Sequence, residues 1–104
     1  MSNKYNNFVI YKIYPIANPE MLYIGSTTNF SRRKSQHKKN TYNRVSKKYN
    51  YPLYQFIRAL GGWDVMKMEV LSKFPCKTKK EGLTKEKELI DFHGANINVN
   101  KPIQ

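Results

Sequence analysis

The stretch Phe8 to Lys39, FVIYKIYPIANPEMLYIGSTTNFSRRKSQHKK, decides the architecture. From Phe8 to Tyr14 it is rich in aromatic and β-branched residues, and Met21 to Gly25 is a second short apolar run, so two strands are expected. Pro15 and the Asn18-Pro19 pair punctuate the connection, which predicts an antiparallel hairpin. If Tyr11 sits opposite Tyr23, alternation puts both phenols on one face. After Gly25 comes a run of good helix caps, Ser26-Thr27-Thr28-Asn29. The basic stretch Ser31 to Lys39 then reads as a helix, with Arg33 and His37, four apart, on one face.

Outward from this stretch, Asn40 to Asn50 is polar, basic and aperiodic, hence a loop. Pro52 opens a second helix in which Leu53, Phe56, Ile57 and Leu60 follow the i, i+3, i+4, i+7 pattern, stopped by Gly61-Gly62. Val65 to Leu71 is a third strand bounded by Asp64 and Pro75. Thr78 and Glu81 form a capping box for a third helix reaching Phe92, with Gly94 available as its end. On that helix Leu83, Glu86 and Ile90 share a face, and a carboxylate on an apolar stripe needs a cation or hydrogen-bond donors. The Asn-rich tail NINVNKPIQ is expected to be ordered only where it docks. The order of elements predicts an α+β fold, a small central sheet with helices against it, as one domain over residues 1–104.

Nineteen Lys and Arg against seven Asp and Glu give a formal charge of +12, which points to a polyanionic partner. Nucleic acid comes first. An anionic membrane is the weaker alternative, because no apolar run approaches the roughly 18 residues of a spanning helix and no signal-peptide pattern opens the chain. A soluble intracellular protein is therefore expected. Cys76 is the lone cysteine and, with two scattered histidines, makes no zinc-ligand cluster; it reads as a small half-buried side chain after a strand.

Several of these residues stand at spacings that resemble the GIY-YIG nuclease family. Val9-Ile10-Tyr11 is followed, after eleven residues, by Tyr23-Ile24-Gly25. In the family a Gly-Ile-Tyr strand and a strand ending Tyr-Ile-Gly flank a gap of this length. The family's helical arginine and the histidine one turn later match Arg33 and His37. Its glutamate, three residues before an apolar pair, matches Glu86 before Leu89-Ile90, and its asparagine matches Asn98, twelve residues beyond Glu86. The resemblance spans about residues 8–100. Val9 stands where the family usually has glycine, and Leu89 where Trp is common. A register using Tyr14 would leave only eight residues before Tyr23.

The resemblance implies a three-stranded antiparallel sheet flanked by helices and a DNA endonuclease using one divalent metal ion, Mg²⁺ or Mn²⁺. It implies a site of Tyr11, Tyr23, Arg33, His37, Glu86 and Asn98, with Glu86 as metal ligand. Because such catalytic domains are commonly joined to separate recognition domains, a lone module implies weak specificity, a structure-selective substrate or recognition by a separate partner.

The residue types suit that reaction on their own chemistry. A phosphodiester gains charge on its non-bridging oxygens as water attacks, which a fixed guanidinium stabilises. A hard cation binds through one or two carboxylates plus waters and phosphate oxygens. Tyr11 or His37 is the proton acceptor, the phenol requiring nearby cations to lower its pKa. Arg32, Lys34, Lys38, Lys39, Arg44, Lys47 and Lys48 are the expected DNA-contacting cations.

Each residue has a plainer reading too. Strand tyrosines usually belong to the core, Arg33 is one of many cations, His37 can simply bind phosphate, and Glu88 is an alternative to Glu86. A catalytically silent binding module, or an RNA-binding protein of ribosomal type, accounts for the charge but has no use for the carboxylate.

Overall fold

The computed structural model of the protein describes residues 3–95 and 97. Strands β1 (Val9–Pro15), β2 (Tyr23–Thr27) and β3 (Met66–Lys73) form one antiparallel sheet in the order β2-β1-β3. Helices α1 (Phe30–Tyr42), α2 (Pro52–Leu60) and α3 (Lys79–His93) complete the α+β fold expected from the sequence. β1 is central and carries fully buried residues on both faces. Tyr11 and Ile13 point to one side and Ile10 to the other, all at 1% exposure or less.

The β1–β2 register differs from the one considered above. Tyr11 lies opposite Gly25, and Tyr23 lies opposite Ile13. A shift of two residues keeps every side chain on its own face, so the phenols remain neighbours, now diagonally. The volume of the Tyr11 ring accounts for the offset. A Cβ on residue 25 would sit 2.5 Å from the Tyr11 hydroxyl and 2.6 Å from Cζ, so the phenol needs a glycine beneath it.

Two apolar clusters hold the sheet between its helices. On the Tyr11 face, Ile13, Met66 and Met68 pack with Leu53, Tyr54 and Ile57 of α2, and with Trp63 and Ile97. On the opposite face Phe8, Ile10 and Ile24 pack with Ala95 and with Leu89 and Ile90 of α3. Cys76, partly buried beyond β3, packs against the second cluster.

Both outer helices are rotated from their expected stripes. Leu60 is 43% exposed, and the buried face of α2 is Leu53, Tyr54 and Ile57, because the Tyr54 hydroxyl finds partners inside. Leu83 is 44% exposed, and α3 docks through Gly82, over which the Phe8 ring lies. Glu86, one turn on from Gly82, meets the sheet edge through the Ser26 hydroxyl.

The ends of the helices follow local chemistry. Asn29 caps α1 by accepting from the Arg32 amide, and the helix continues past Lys39 to Tyr42, so the loop starts at Asn43. Both bonds of the Thr78–Glu81 capping box are made, and Gly94 ends α3 in the left-handed conformation at φ 60°. Gly61 and Gly62 stop α2 at φ 126° and 109°, values that side-chain-bearing residues rarely adopt. In the tail, Ile97 is buried and its amide donates to the Leu22 carbonyl, while Asn98 and residues 99–104 lie outside the described residues. Among the described residues no helix is long and apolar enough to cross a membrane.

Gly82 gives a direct test of the α3 docking. Helix propensity alone favours Ala over Gly by about 1 kcal/mol. A methyl there would overlap the Phe8 ring, and overpacking costs roughly 1–3 kcal/mol. Urea unfolding of Gly82→Ala should show a net loss of stability, recovered in part when Phe8→Leu makes room. A stabilised single variant would contradict this packing.

Candidate active site

β2 is an edge strand, and beside it a cleft of about 390 Å³ collects side chains from both faces of the sheet. Tyr11 and Tyr23 reach it from the α1/α2 face, and Arg33 reaches it from the first turns of α1. Ser26 and Glu86 come from the face covered by α3, and Lys4 and Lys79 add positive charge to the lining. The alternation of β2 divides the strand between the two sides: Tyr23 and Gly25 face Tyr11, while Ser26 faces α3.

Behind the cleft runs a buried chain of hydrogen bonds. The Tyr11 hydroxyl is 2.7 Å from His37 Nε2, and His37 Nδ1 is 2.7 Å from the Tyr54 hydroxyl. His37 is 4% exposed, stacks on Trp63 and meets Tyr11 edge-on. Burial, reinforced by the positive charges of Arg33 and Lys48, lowers its pKa to about 4, so the imidazole is neutral. Burial also raises the Tyr11 phenol well above the ordinary tyrosine range; neighbouring Tyr23 adds to the rise and Arg33 opposes it.

Arg33 is held at the cleft by bonds to the Ser26 carbonyl (3.4 Å) and to Gln36 Oε1 (3.2 Å). The Ser26 hydroxyl donates to Glu86 Oε1 across the strand edge. Tyr23 is pushed up to about 12, first by burial and then by the Glu86 carboxylate. Glu86 is the carboxylate that lines the cleft. Glu88, the sequence alternative, is paired with Lys85 on the exposed side of α3. Tyr14, the alternative to Tyr11, points to the opposite face and donates to Glu69. Among the described residues no three His, Cys, Asp or Glu side chains gather in a ready-made metal cage. One carboxylate beside a hydroxyl, with room for solvent, suits a hard cation that keeps most of its waters, as Mg²⁺ does.

Tyr11, Tyr23, Arg33, His37 and Glu86 thus come together in one neighbourhood, while Asn98 lies outside the described residues. The seven cations expected to contact DNA (Arg32, Lys34, Lys38, Lys39, Arg44, Lys47 and Lys48) are all exposed, on α1 and the loop after it. The sequence reading missed Tyr54, Ser26, Lys4 and Lys79. Tyr54 looks from its spacing like one more aromatic of α2. Lys4 and Lys79 are distant in the chain and carry no motif. Ser26 sits directly after Tyr-Ile-Gly but reads as one of several helix caps.

The buried imidazole has a measurable consequence for stability. Unfolded, His37 takes up a proton near its ordinary pKa of about 6.5; folded, it resists protonation down to about 4. As pH falls through this window the unfolded state binds more protons, so stability is lost, by up to about 3 kcal/mol. Denaturant unfolding at a series of pH values from 7 to 4.5 should show this loss, and His37→Gln should flatten it. Equal slopes in both proteins would contradict a buried neutral imidazole.

Comparison with known proteins agrees with this geometry. The model of the GIY-YIG catalytic domain matches residues 7–99. The structure of the catalytic domain of the homing endonuclease I-TevI has the same fold, with a TM-score of 0.70 and 22% sequence identity, covering 88% of this chain and 92% of that one. Among curated proteins no relative matches. With nearly its whole length matched and the sheet and helices of that fold in place, the chain belongs to the GIY-YIG catalytic domain family of nucleases.

Proposed function

We propose that the chain is a DNA endonuclease that hydrolyses phosphodiester bonds with one divalent metal ion, Mg²⁺ or Mn²⁺, held by Glu86. The observation that carries this reading is the convergence of Arg33, Tyr11, Tyr23 and a single carboxylate on one cleft at the sheet edge. A binding module needs the cations but not Glu86, which repels phosphate unless a metal neutralises it. The charge of +12 and the exposed cations of α1 and its following loop support a polyanionic substrate. The solved structure with the same fold is a homing endonuclease's catalytic domain, and the proposal extends that substrate class to this chain. Sequence recognition is assigned to a separate partner.

In this mechanism Arg33 donates to the non-bridging oxygens of the scissile phosphate, where charge grows as water attacks. Tyr11 Oη, once ionised, accepts the proton of that water; Arg33 favours the phenolate and burial opposes it. Tyr23 donates to the phosphate or the water, and Asn98 is proposed to help orient them. Ser26 keeps the Glu86 carboxylate turned toward the cleft. The bound cation supplies Lewis-acid neutralisation of the phosphate charge.

Two substitutions test the reading. Glu86→Ala should abolish Mg²⁺-dependent nicking of supercoiled DNA while DNA affinity is unchanged or improved; near wild-type nicking would remove Glu86 from the mechanism. Loss only in Glu88→Ala would transfer the role to Glu88. Arg33→Ala should lower the single-turnover rate by roughly 10²-fold or more with little change in affinity. Arg32→Ala, about 100° around the helix, should weaken binding modestly and spare the bound-state rate. Equal, purely affinity-based losses at both arginines would contradict the role given to Arg33. A protein that binds DNA and never cuts it with either metal is the silent module instead.

A further inference from the structure

The hydrogen bonds behind His37 extend beyond Tyr54 and have a direction. They begin at a group that can only donate, the Lys48 backbone N–H, which bonds the Ser46 hydroxyl oxygen at 3.1 Å. Ser46 Oγ then gives its own proton to Asn40 Oδ1 at 2.9 Å. With its carbonyl used as acceptor, the Asn40 amide offers Nδ2 to the Tyr54 hydroxyl, 3.5 Å away and the longest link. Tyr54, having accepted from Asn40, has its own proton to give, and the acceptor within reach among the described residues is His37 Nδ1 at 2.7 Å. An imidazole that accepts at Nδ1 carries its proton on Nε2 when neutral, and Nε2 faces Tyr11 Oη at 2.7 Å. In this direction the Tyr11 hydroxyl proton is left facing the cleft; reversal would turn the Asn40 amide over, make Tyr11 the donor to His37 and leave the half-buried Ser46 hydroxyl proton without an acceptor among the described residues.

We propose that this one-way chain from the loop after α1, through Ser46, Asn40 and Tyr54, sets His37 as the Nε2–H tautomer, so that His37 donates to Tyr11 Oη and does not receive its proton. Ser46, Asn40 and Tyr54 are then positioning residues. With Nδ1 covered by Tyr54 and Nε2 already protonated, His37 has no lone pair to offer, and the general base of the hydrolysis is the Tyr11 oxygen. As Tyr11 ionises, the fixed Nε2–H supplies a donor to the phenolate. The role of Tyr11 rests on the nuclease reading; the tautomer does not.

The loop that starts the chain is anchored well enough to hold a polarity. The Arg58 guanidinium stacks on Tyr49 at 3.7 Å and donates to the Thr41 carbonyl, tying the loop and the end of α1 to α2. The Asn43 side chain accepts from the Val45 amide, and the Tyr51 amide donates to the Lys48 carbonyl.

The test is NMR of the full protein labelled with ¹⁵N-histidine, at pH 8 and without DNA or metal, where long-range ¹H–¹⁵N correlations distinguish the two neutral tautomers. The wild type should show His37 protonated on Nε2. Asn40→Asp should reverse the chain, because a carboxylate accepts from both Ser46 and Tyr54; Tyr54 then accepts from His37, and the proton moves to Nδ1. If Asn40→Asp does not fold, Ser46→Ala should convert the single Nε2–H form into a mixture. A wild-type Nδ1–H tautomer, or an Nε2–H form unmoved by the substitution, overturns the proposal. Cleavage provides the separate arm. At saturating DNA and Mg²⁺, Asn40→Asp should lower the single-turnover rate by about 10-fold or more. A moved tautomer with an unchanged rate would overturn the positioning role and the place of Tyr11 in the reaction.

Discussion

The contact on which the site depends is the Tyr11 phenol lying over the bare backbone of Gly25. It joins two requirements that pull against each other. The ring must be buried, because β1 is the central strand of a very small sheet, and its hydroxyl must emerge in the cleft beside β2. Only a residue without a side chain, on the paired strand and directly opposite, leaves space for the ring to lie across that strand. The hydroxyl is then fixed at its far end by His37. Register, glycine and histidine are one constraint expressed at three positions.

The edge position of β2 explains how so small a protein assembles groups from both sides of its sheet. A central strand would keep the two faces apart. At the edge, the Ser26 hydroxyl reaches Glu86 from one side while Tyr23 and Tyr11 approach from the other, and Arg33 closes the end through its bond to the Ser26 carbonyl. The cost is that Glu86 depends on how α3 docks. That docking rests on Gly82, where the absence of a side chain lets Phe8 and the helix come into contact.

Much of the fold was legible because its elements obey simple periodicities. The strands of the hairpin, the stop at Gly61-Gly62 and the capping box at Thr78 come from local chemistry that needs no tertiary context. The register of the hairpin did not, since its connection from residues 16 to 22 is not a tight turn of fixed geometry and the decisive fact was the volume of one ring. α2 was misread by a step for a related reason. Apolar spacing favours Leu60 as a core residue, but Tyr54 gains more by turning inward, where its hydroxyl completes the bonds of His37, while Phe56 still packs against the cluster. Leu83 was expected in the core and is exposed because Gly82 makes the contact. Of the site, spacing picked out the residues that share a motif; Ser26, Tyr54 and the cations of the cleft lining are neighbours only in the folded chain.

The most direct measurement of the central constraint is single-turnover cleavage of pre-bound DNA by Gly25→Ala, in protein whose amide spectrum retains the dispersion of the intact sheet. A methyl at this position must displace the Tyr11 hydroxyl while leaving the exposed cations of α1 and its loop untouched. The account predicts DNA affinity close to that of the wild type with a cleavage rate lower by roughly 10²-fold. A folded Gly25→Ala protein that cuts at the wild-type rate would contradict it.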